Sequence, residues 1–462
     1  MTRPSLVSLF GRVGALAALS LCWAIPARAA EPADVEHQLL ARAKSGDVEA
    51  EFDLGVLYSM GPSVRQLRPR DAEYWLRRAD DQHHVGAMLQ LVELYLTAPE
   101  FQADFGDIAP WLERAAALGH RQAASLLGMA LWSGGKGIDM DRPRGFRFLR
   151  ASALRGDETA ALFLAERALD GVGLQRDPAK ARQVLEFAAR NGILRARQQL
   201  KVLPADARRL RRPAEIFHDL RKLADRGDAG ALLLLGISET ADPDYMAEEI
   251  DLSLAERRVR ARHWLEQADA LGQAEATTRL GILYANGQGV EPDSGKAAAL
   301  FERASATQAL AQLNLAVLIL DRKLPAATPA RAVALLTSAS VEDPNAAFEL
   351  GMIYYEGRFQ PRDVPHAVAL FEQAAHRNQP AALVNLGVIA ANGENGPADL
   401  AAALKWWTLA RLAGSREAGA LIHRVGPRFQ PTHQIAATAL LRDWIQALVQ
   451  ARAAGFPDLA LD

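Results

Sequence analysis

The sequence predicts an all-α solenoid built from about ten stacked helix pairs. The main observation is an alanine that stands five residues before a small residue, nine times, mostly at intervals of 35 to 37 residues. A helix pair of that length cannot bury its apolar face alone, so consecutive pairs stack into a continuous core. Half of the residues are hydrophobic and only 6% are aromatic, which suits closely packed helices. The nine pairs are Ala50…Gly55, Ala87…Val92, Ala123…Gly128, Ala160…Ala165, Ala231…Gly236, Ala276…Gly281, Ala311…Ala316, Ala346…Gly351 and Ala382…Gly387.

Two further positions recur with this pattern when the second residue of each pair is taken as an anchor. A glycine six residues after the anchor is expected to end the first helix in a left-handed cap. A large apolar residue twenty positions after the anchor is expected to fill the space beside the helix pair. The glycines are Gly61, Gly134, Gly171, Gly287, Gly357 and Gly393. The large residues are Trp75, Phe148, Leu185, Phe301, Leu336, Phe371 and Trp407, with Trp264 displaced in a longer copy.

Together these positions resemble the Sel-one-like repeat, a relative of the tetratricopeptide repeat. The resemblance is clearest in residues 280–290, Leu-Gly-Ile-Leu-Tyr-Ala-Asn-Gly-Gln-Gly-Val, and covers residues 35 to 425. It implies a right-handed α/α superhelix that holds protein complexes together. It implies little about any activity, because the motif residues shape the fold.

The copies near residues 200 to 260 depart most from the pattern and suggest a site for a partner. Four arginines in the fifth repeat precede a group of acids in the enlarged connection of the sixth. Equivalent connections of adjacent repeats are expected on one edge of the solenoid, so these charges are predicted to be neighbours. They form either solvated turns or a partner-docking edge. The residues are Arg208, Arg209, Arg211, Arg212, Asp242, Asp244, Glu248 and Glu249.

Residues 1–29 have the pattern of a secretory signal peptide. Two arginines, Arg3 and Arg12, precede an apolar run over 13–25, and Ala27-Arg28-Ala29 supplies small residues for cleavage. The alternative is a helix that stays in the membrane, but the run is shorter than the roughly 20 residues a span requires. The expected protein is therefore periplasmic or secreted, with no transmembrane segment in the mature chain.

The only cysteine, Cys22, lies inside that apolar run. A lipid anchor there would require a small residue before it, where the chain has Leu21. Cleavage after Ala29 or a neighbouring residue leaves no cysteine in the mature chain. Disulfides, thiolate metal sites and cysteine nucleophiles are then excluded.

Charge and motifs disfavour nucleic acid binding and catalysis. The formal net charge is −2, and it becomes more negative once residues 1–29, with three arginines and no acid, are removed. The glycine-rich run 134–137 lacks the Ser or Thr that follows lysine in a phosphate loop, and it follows a predicted helix instead of a strand. We therefore predict no catalytic residues, no cofactor and no metal.

After the solenoid, predicted over residues 30–424, residues 425–462 are expected to form a capping helix and a tail. Thr432 is expected to cap a helix over 433–453, whose apolar residues close the open solenoid end or, alternatively, dock to a partner.

The sequence as a whole predicts an exported, non-enzymatic scaffold for protein–protein interactions in a bacterial envelope complex, such as secretion, polysaccharide export, cell-wall or signalling machinery. The alternatives are a periplasmic regulator that binds a sensor protein, or a glycan or cell-wall binder that uses exposed tryptophans such as Trp132 and Trp406. Hydrolase activity, suggested for cysteine-rich exported relatives, is disfavoured because the mature chain has no cysteines to pair. The partner and the oligomeric state are left open.

Overall fold

Helices alternate with short turns throughout the computed structural model, which describes residues 32–60, 68–98, 101, 107–134, 137–240, 253–324 and 326–461. These residues contain 23 α-helices and no β-strand beyond one isolated bridge. The predicted all-α class and the stacking of helix pairs are confirmed. The predicted signal peptide, residues 1–29, and Gly61 lie outside the described residues.

The described part of the chain divides into two units: a terminal unit of residues within 32–192 and 386–461, and a central unit of residues within 193–385. In the terminal unit the helices are α1 (Pro32–Lys44), α2 (Val48–Met60), α3 (Pro69–Asp81), α4 (Val85–Thr97), α5 (Ala109–Ala117), α6 (Arg121–Ser133), α7 (Arg142–Leu154), α8 (Glu158–Asp170) and α9 (Pro178–Arg190).

The central unit continues with α10 (Leu194–Val202), α11 (Pro213–Ala224), α12 (Ala229–Thr240), α13 (Leu254–Ala270), α14 (Ala274–Asn286), α15 (Ser294–Ala304), α16 (Ala309–Leu320), α17 (Pro329–Ser340), α18 (Pro344–Glu356) and α19 (Val364–Ala375). Helix α20 (Pro380–Asn392) begins in the central unit, and the terminal unit resumes with α21 (Leu400–Leu412), α22 (Arg416–Val425) and α23 (Pro431–Ala453). Each even-numbered helix from α2 to α20 is the first helix, A, of a repeat, and the following odd-numbered helix is the second, B. The described residues therefore contain ten helix pairs, as predicted.

The alanine of the recurring pattern lies at the start of helix A, and all nine such alanines are completely buried. Its backbone N–H donates in seven repeats to a side chain three residues earlier, at 2.6–3.4 Å. These bonds satisfy one of the backbone donors left free at a helix start. The capping residues are Asp47, His84, His120, Asp157, Asp228, Asp343 and Gln379.

The glycine anchors let helix B approach helix A closely. A Cβ at Gly281 would lie 2.5 Å from the ring of Phe301, and one at Gly351 would lie 2.6 Å from the ring of Phe371. Both rings are fully buried. The predicted contact between the anchor and the residue at +20 is therefore present in these copies.

The predicted contact residue is wrong in three copies, two of them predicted at +20 and one at the displaced Trp264, and a neighbouring leucine makes the contact instead. The anchors Gly55, Gly128 and Gly236 contact Leu76, Leu149 and Leu265 rather than Trp75, Phe148 and Trp264. In the first two copies the connection before helix B is one residue longer. In the third, α13 begins with an extra turn of four residues, which keeps the same face inward. The contact residue therefore stands eight positions after the N-cap of helix B in the first two copies, and one helical turn further on, at twelve, in α13.

The predicted left-handed glycine cap is confirmed in three copies and is wrong at Gly134. Gly171, Gly287 and Gly357 end α8, α14 and α18 with φ of 77°, 65° and 70°. Gly134 ends α6 with φ 70° but an extended ψ of 170°, so it is not a left-handed cap.

Buried polar contacts accompany the irregular fifth and sixth repeats. The Gln198 side chain donates to the Ser238 hydroxyl at 2.7 Å, and both residues are buried. Glu239 lies 2.6 Å from the Arg260 guanidinium and 3.6 Å from that of Arg257. These side chains explain why the apolar pattern weakens here.

The predicted C-terminal helix is present as α23, but it begins at Pro431 and not after Thr432. Proline fits the first helical turn, because its missing N–H has no partner there in any helix. Gln430 is the N-cap residue, so the capping role predicted for Thr432 is wrong.

Candidate interaction surface

The predicted arginine cluster lies in the turn between α10 and α11. Arg209 forms a bidentate ion pair with Glu215, with nitrogen–oxygen distances of 2.9 and 2.7 Å. This pair, together with the backbone N–H of Arg212, lowers the pKa of Glu215 to about 2. The Arg211 guanidinium lies 3.7 Å from the Asp219 carboxylate.

The predicted acidic neighbours Asp242, Asp244, Glu248 and Glu249 lie outside the described residues, so their proximity to the arginines stays a prediction. Within the described residues, Arg209 and Arg211 are paired with carboxylates of α11 itself. Exposed pairs of this kind contribute little to stability because water screens them. These pairs within the chain explain two of the four arginines, so no partner protein is needed to explain them. The side chains of Arg208 and Arg212 are exposed.

A second surface lies in the terminal unit, where three turns join helix B of one repeat to helix A of the next. We call residues 82–85, 117–120 and 154–157 the terminal rim. Helix α23 lies across these turns. The Gln434 side chain accepts the backbone N–H of Val85 at 3.4 Å, and Arg452 donates to the Leu154 carbonyl at 3.2 Å.

The contact at the middle turn is close because a glycine is there. A Cβ at Gly119 would lie 2.7 Å from Cδ1 of Ile445. Gly119 has φ +98°, a conformation that glycine adopts without strain. One residue therefore provides both the left-handed turn and the space for the α23 side chain.

The spacing of contacts along α23 matches the spacing of repeats. Gln434 and Ile445, which contact consecutive turns, are eleven residues apart. Eleven residues rise about 16 Å and turn only about 20° beyond three full turns, so both side chains share one face. Two packed helices at 8–10 Å each give a repeat spacing of roughly 16–20 Å. A straight helix can therefore contact one turn per repeat with a single face.

A cleft of about 560 Å³ lies beside α23 and the first two turns of the terminal rim. Its apolar wall includes Val85, Met88 and Leu118 from the repeats and Ile435 from α23. Ile435 is 53% exposed, so the cleft is not filled by the chain itself.

The chain after α23 continues along the same repeats. The Phe456 ring packs edge-on against Phe187 of α9, with centroids 5.2 Å apart. The Ala460 carbonyl accepts the N–H of Gln175 at 3.1 Å, beside an antiparallel bridge between Leu174 and Leu461. Residues 431–461 thus contact the second, third and fourth repeats in turn.

Several charged and polar side chains lie in or beside the turns that α23 covers, and burial and hydrogen bonding shift the pKa values of two of them. The Arg155 guanidinium donates to the Gly119 carbonyl, and burial lowers the pKa of Arg155 to about 10, with Arg121 as the second cause. At His120 the ring accepts the Ala123 N–H through Nδ1 and contacts Glu93 through Nε2 at 2.8 Å. That contact lowers the pKa of Glu93. These groups fix the shape of the turns.

The tryptophans considered for glycan stacking are buried, which corrects the expectation of exposure. Trp132 is 2% exposed and Trp406 is 6% exposed. Trp406 packs edge-on against Trp444 of α23, with centroids 4.9 Å apart. Neither ring has a free face for a sugar.

Across the part of the chain that the structure describes, no group of three or more His, Cys, Asp or Glu side chains is arranged to hold a metal ion. Within the same residues, none of the helices combines the length and apolarity of a membrane span. The arrangement that the described residues do offer is a row of turns that binds a polypeptide helix.

The terminal rim was not predicted from the sequence, because the α23 sequence does not indicate which surface the helix contacts. Its apolar residues were expected to close an open end. The available signal was the eleven-residue interval from Gln434 to Ile445 and onward to Phe456, which matches one repeat per interval. The histidine caps, His84 and His120, were also missed, since histidine is not a usual capping residue.

Seven segments of the chain match the Sel1 repeat: residues 48–84, 111–120, 121–157, 159–193, 274–306, 344–379 and 380–415. The unmatched stretch 194–273 contains the two irregular repeats with the buried polar contacts. A search of curated proteins finds no match to this chain.

Solved structures similar to this chain include a protective antigen, c5321, of uropathogenic Escherichia coli, described as displaying an SLR fold. It is 22% identical, with a TM-score of 0.39, and the match covers 91% of this chain and 96% of that one. A Sel1 repeat protein from Oxalobacter formigenes is 20% identical, with a TM-score of 0.39, covering 92% of this chain and 94% of that one. A putative sel1 repeat protein from Klebsiella pneumoniae is 24% identical, with a TM-score of 0.32, covering 46% of this chain and 99% of that one. At these identities and TM-scores the similarity says nothing about partners.

Proposed function

Because the chain belongs to the Sel1 repeat proteins, a family whose repeats generally mediate protein–protein interactions, we propose that it is an exported, non-enzymatic scaffold that holds polypeptides of the bacterial envelope. Stacked repeats of this kind expose long edges and faces, which are suited to binding other chains.

The observation that supports this proposal is the terminal rim with α23. The turns of three repeats hold one helix through three contacts. Gly119 packs against an apolar side chain of α23, the Val85 backbone N–H donates to a side chain of α23, and the Leu154 carbonyl accepts from another. Every one of these contacts depends on repeat geometry or on backbone atoms. The same geometry recurs wherever the repeats are regular, so the edge is suited to binding helices of other proteins.

The proposed export depends on the sequence of residues 1–29. Cleavage after Ala29 or a neighbouring residue would release the repeats outside the cytoplasm. Fractionation of cells that carry a C-terminally tagged chain tests this step. We expect a processed protein in the periplasmic fraction, and an Arg3→Glu, Leu16→Asp, Leu19→Asp variant should accumulate unprocessed. An unprocessed wild-type protein in the cytoplasm would contradict export.

Crosslinking in intact cells, followed by identification of co-purified proteins, tests the scaffold role. We expect discrete envelope proteins that are recovered at constant stoichiometry with the tagged chain. Retention on purified cell-wall polymer without any protein would instead indicate a glycan binder. Recovery of a single sensor protein that is released by a ligand would indicate a regulator.

A further inference from the structure

The central unit has a row of turns equivalent to the terminal rim, and their side chains are exposed. The residues two positions before the N-caps of α14, α16 and α18 are Leu271, Ala306 and Val341; we call these three residues the central rim. Leu271 is 53% exposed and Val341 is 68% exposed, the latter being the most exposed large hydrophobic side chain among the described residues. Ala306, between them, is also exposed.

The equivalent position in the terminal rim is covered. Leu118 stands two positions before the N-cap of α6, as Leu271 does before the N-cap of α14. Leu118 is only 4% exposed, and it lines the cleft formed with Ile435 and neighbouring residues of α23. The chain itself therefore shows that an apolar turn residue at this position is suited to lie under a helix.

We propose that the central rim docks an amphipathic α-helix of a partner protein, held as α23 is held by the terminal rim. This inference rests on the proposed scaffold function and names its site and the chemistry of the partner. The helix would place one apolar residue over each turn. Covering a leucine and a valine at these positions removes apolar surface from water, which is the main driving force of such contacts.

The charged residues beside the central rim favour a partner helix whose contacting face is apolar over one whose contacting face is charged. Asp269 is paired with Arg303 at 2.7 Å, and Glu302 is paired with Arg331 at 2.5 Å. The Arg377 guanidinium donates to the Glu342 carbonyl. Because the Asp269–Arg303 and Glu302–Arg331 charges are already paired, a docking helix gains little from ion pairs with them and most from contact with Leu271 and Val341.

Repeat geometry fixes the length of the partner helix. Leu271 and Val341 lie two repeats apart, which corresponds to roughly 32–40 Å along the rim. At 1.5 Å per residue, the two contact residues of the partner are separated by about 21 to 27 residues. Eleven-residue spacing, as between Gln434 and Ile445, predicts a separation near 22.

Site-specific photocrosslinking tests this inference. A photoreactive phenylalanine analogue is placed at Leu271, at Val341 or, as a matched control, at Val259, which is 47% exposed on α13 in the same unit. The crosslinked partner residues are then mapped by mass spectrometry. We expect both rim positions to capture one helical segment of one protein, at sites about 21 to 27 residues apart, and the control to capture none of it.

A second measurement separates this inference from the scaffold function. Leu271→Glu with Val341→Glu should reduce recovery of that protein at least tenfold, while Val259→Glu leaves it unchanged. Equal recovery by the rim variant would overturn the central rim and leave the scaffold function standing. Recovery of no protein by any variant would overturn both. Crosslinks to α23 of another copy, or to separate proteins at the two positions, would overturn the proposed partner.

Discussion

Replacing Gly119 by alanine tests whether α23 lies on the terminal rim. The substitution adds a methyl group that meets Ile445 at 2.7 and 3.1 Å, and it places alanine at φ +98°. Gly156 is the matched control, because it occupies the same turn position one repeat later with φ +87° and has nothing within 4 Å of an added Cβ.

The expected magnitudes follow from two separate costs. Left-handed backbone costs alanine about 1–3 kcal/mol, and this cost applies to both glycines. Overpacking against Ile445 adds about 1–3 kcal/mol only at Gly119. The free energy of unfolding should therefore fall by about 1–3 kcal/mol more in Gly119→Ala than in Gly156→Ala.

A double-mutant cycle with Ile445→Ala isolates the contact. Removing the isoleucine should relieve the overpacking, so Gly119→Ala becomes about as costly as Gly156→Ala. The coupling energy between Gly119 and Ile445 is then expected in the range of about 1–3 kcal/mol. Urea unfolding of the full chain, followed by far-ultraviolet circular dichroism, measures each free energy. A Gly119–Ile445 coupling below about 0.5 kcal/mol, or an equal coupling for Gly156, would refute the contact.

Two other predictions concern the terminal contacts and the anchors. The Asp53 carboxylate, 2.9 Å from the imidazole, raises the pKa of His423; stability from this pair is present below the unfolded pKa of about 6.5 and is lost as pH rises through the folded value. Urea unfolding at several pH values should show that this decrease disappears in His423→Gln; an unchanged pH profile would contradict the pair. At an anchor, Gly281→Ala should destabilise the chain by about 1–3 kcal/mol, because its Cβ meets the buried ring of Phe301. Gly295→Ala, in the open first turn of α15, should stabilise it by about 0.5–1 kcal/mol through helix propensity; equal effects at the two sites would contradict the assigned packing.

The sequence predicts most of the fold because its repeat residues act locally. Glycines such as Gly287 and Gly357 end helices through their own backbone conformation, which no distant contact has to specify. Burial of Phe301 and Phe371 against their anchors depends on a fixed spacing within one repeat. Because these short-range contacts recur in every regular repeat, the residues that make them can be recognised in a single sequence.

The errors arise where a connection changes length. A single extra residue before α3 moves the side chain that contacts the anchor from the predicted Trp75 to Leu76. In the sixth repeat both the connection and the start of α13 are longer, and the anchor contacts Leu265 instead of the adjacent Trp264. Counting from the anchor crosses this variable connection, whereas counting from the N-cap of helix B does not and fails only where α13 has its extra turn.

The terminal rim was not predicted, since its contacts join residues 298 to 349 positions apart. Val85 and Gln434 are separated by 349 residues, and neither belongs to a recurring motif. The predicted charge cluster at Arg208–Arg212 had the opposite character: it was visible in the sequence, yet Arg209 is satisfied by Glu215 six residues later. In this chain, therefore, the irregular repeats that stand out in the sequence are not the repeats that bind α23.

The most direct test of the account is a disulfide between the C-terminus and the fourth repeat. Leu174 and Leu461 form an antiparallel bridge, which places Cα atoms about 4.5–5.5 Å apart, within the range for a disulfide. With Cys22 replaced by serine, Leu174→Cys/Leu461→Cys should oxidise to an intramolecular disulfide in the folded chain. The control pair Val172→Cys/Leu461→Cys has a more exposed cysteine two residues away and should remain reduced. Equal oxidation of the two pairs, or only intermolecular dimers, would contradict the docking of residues 431–461 on these repeats.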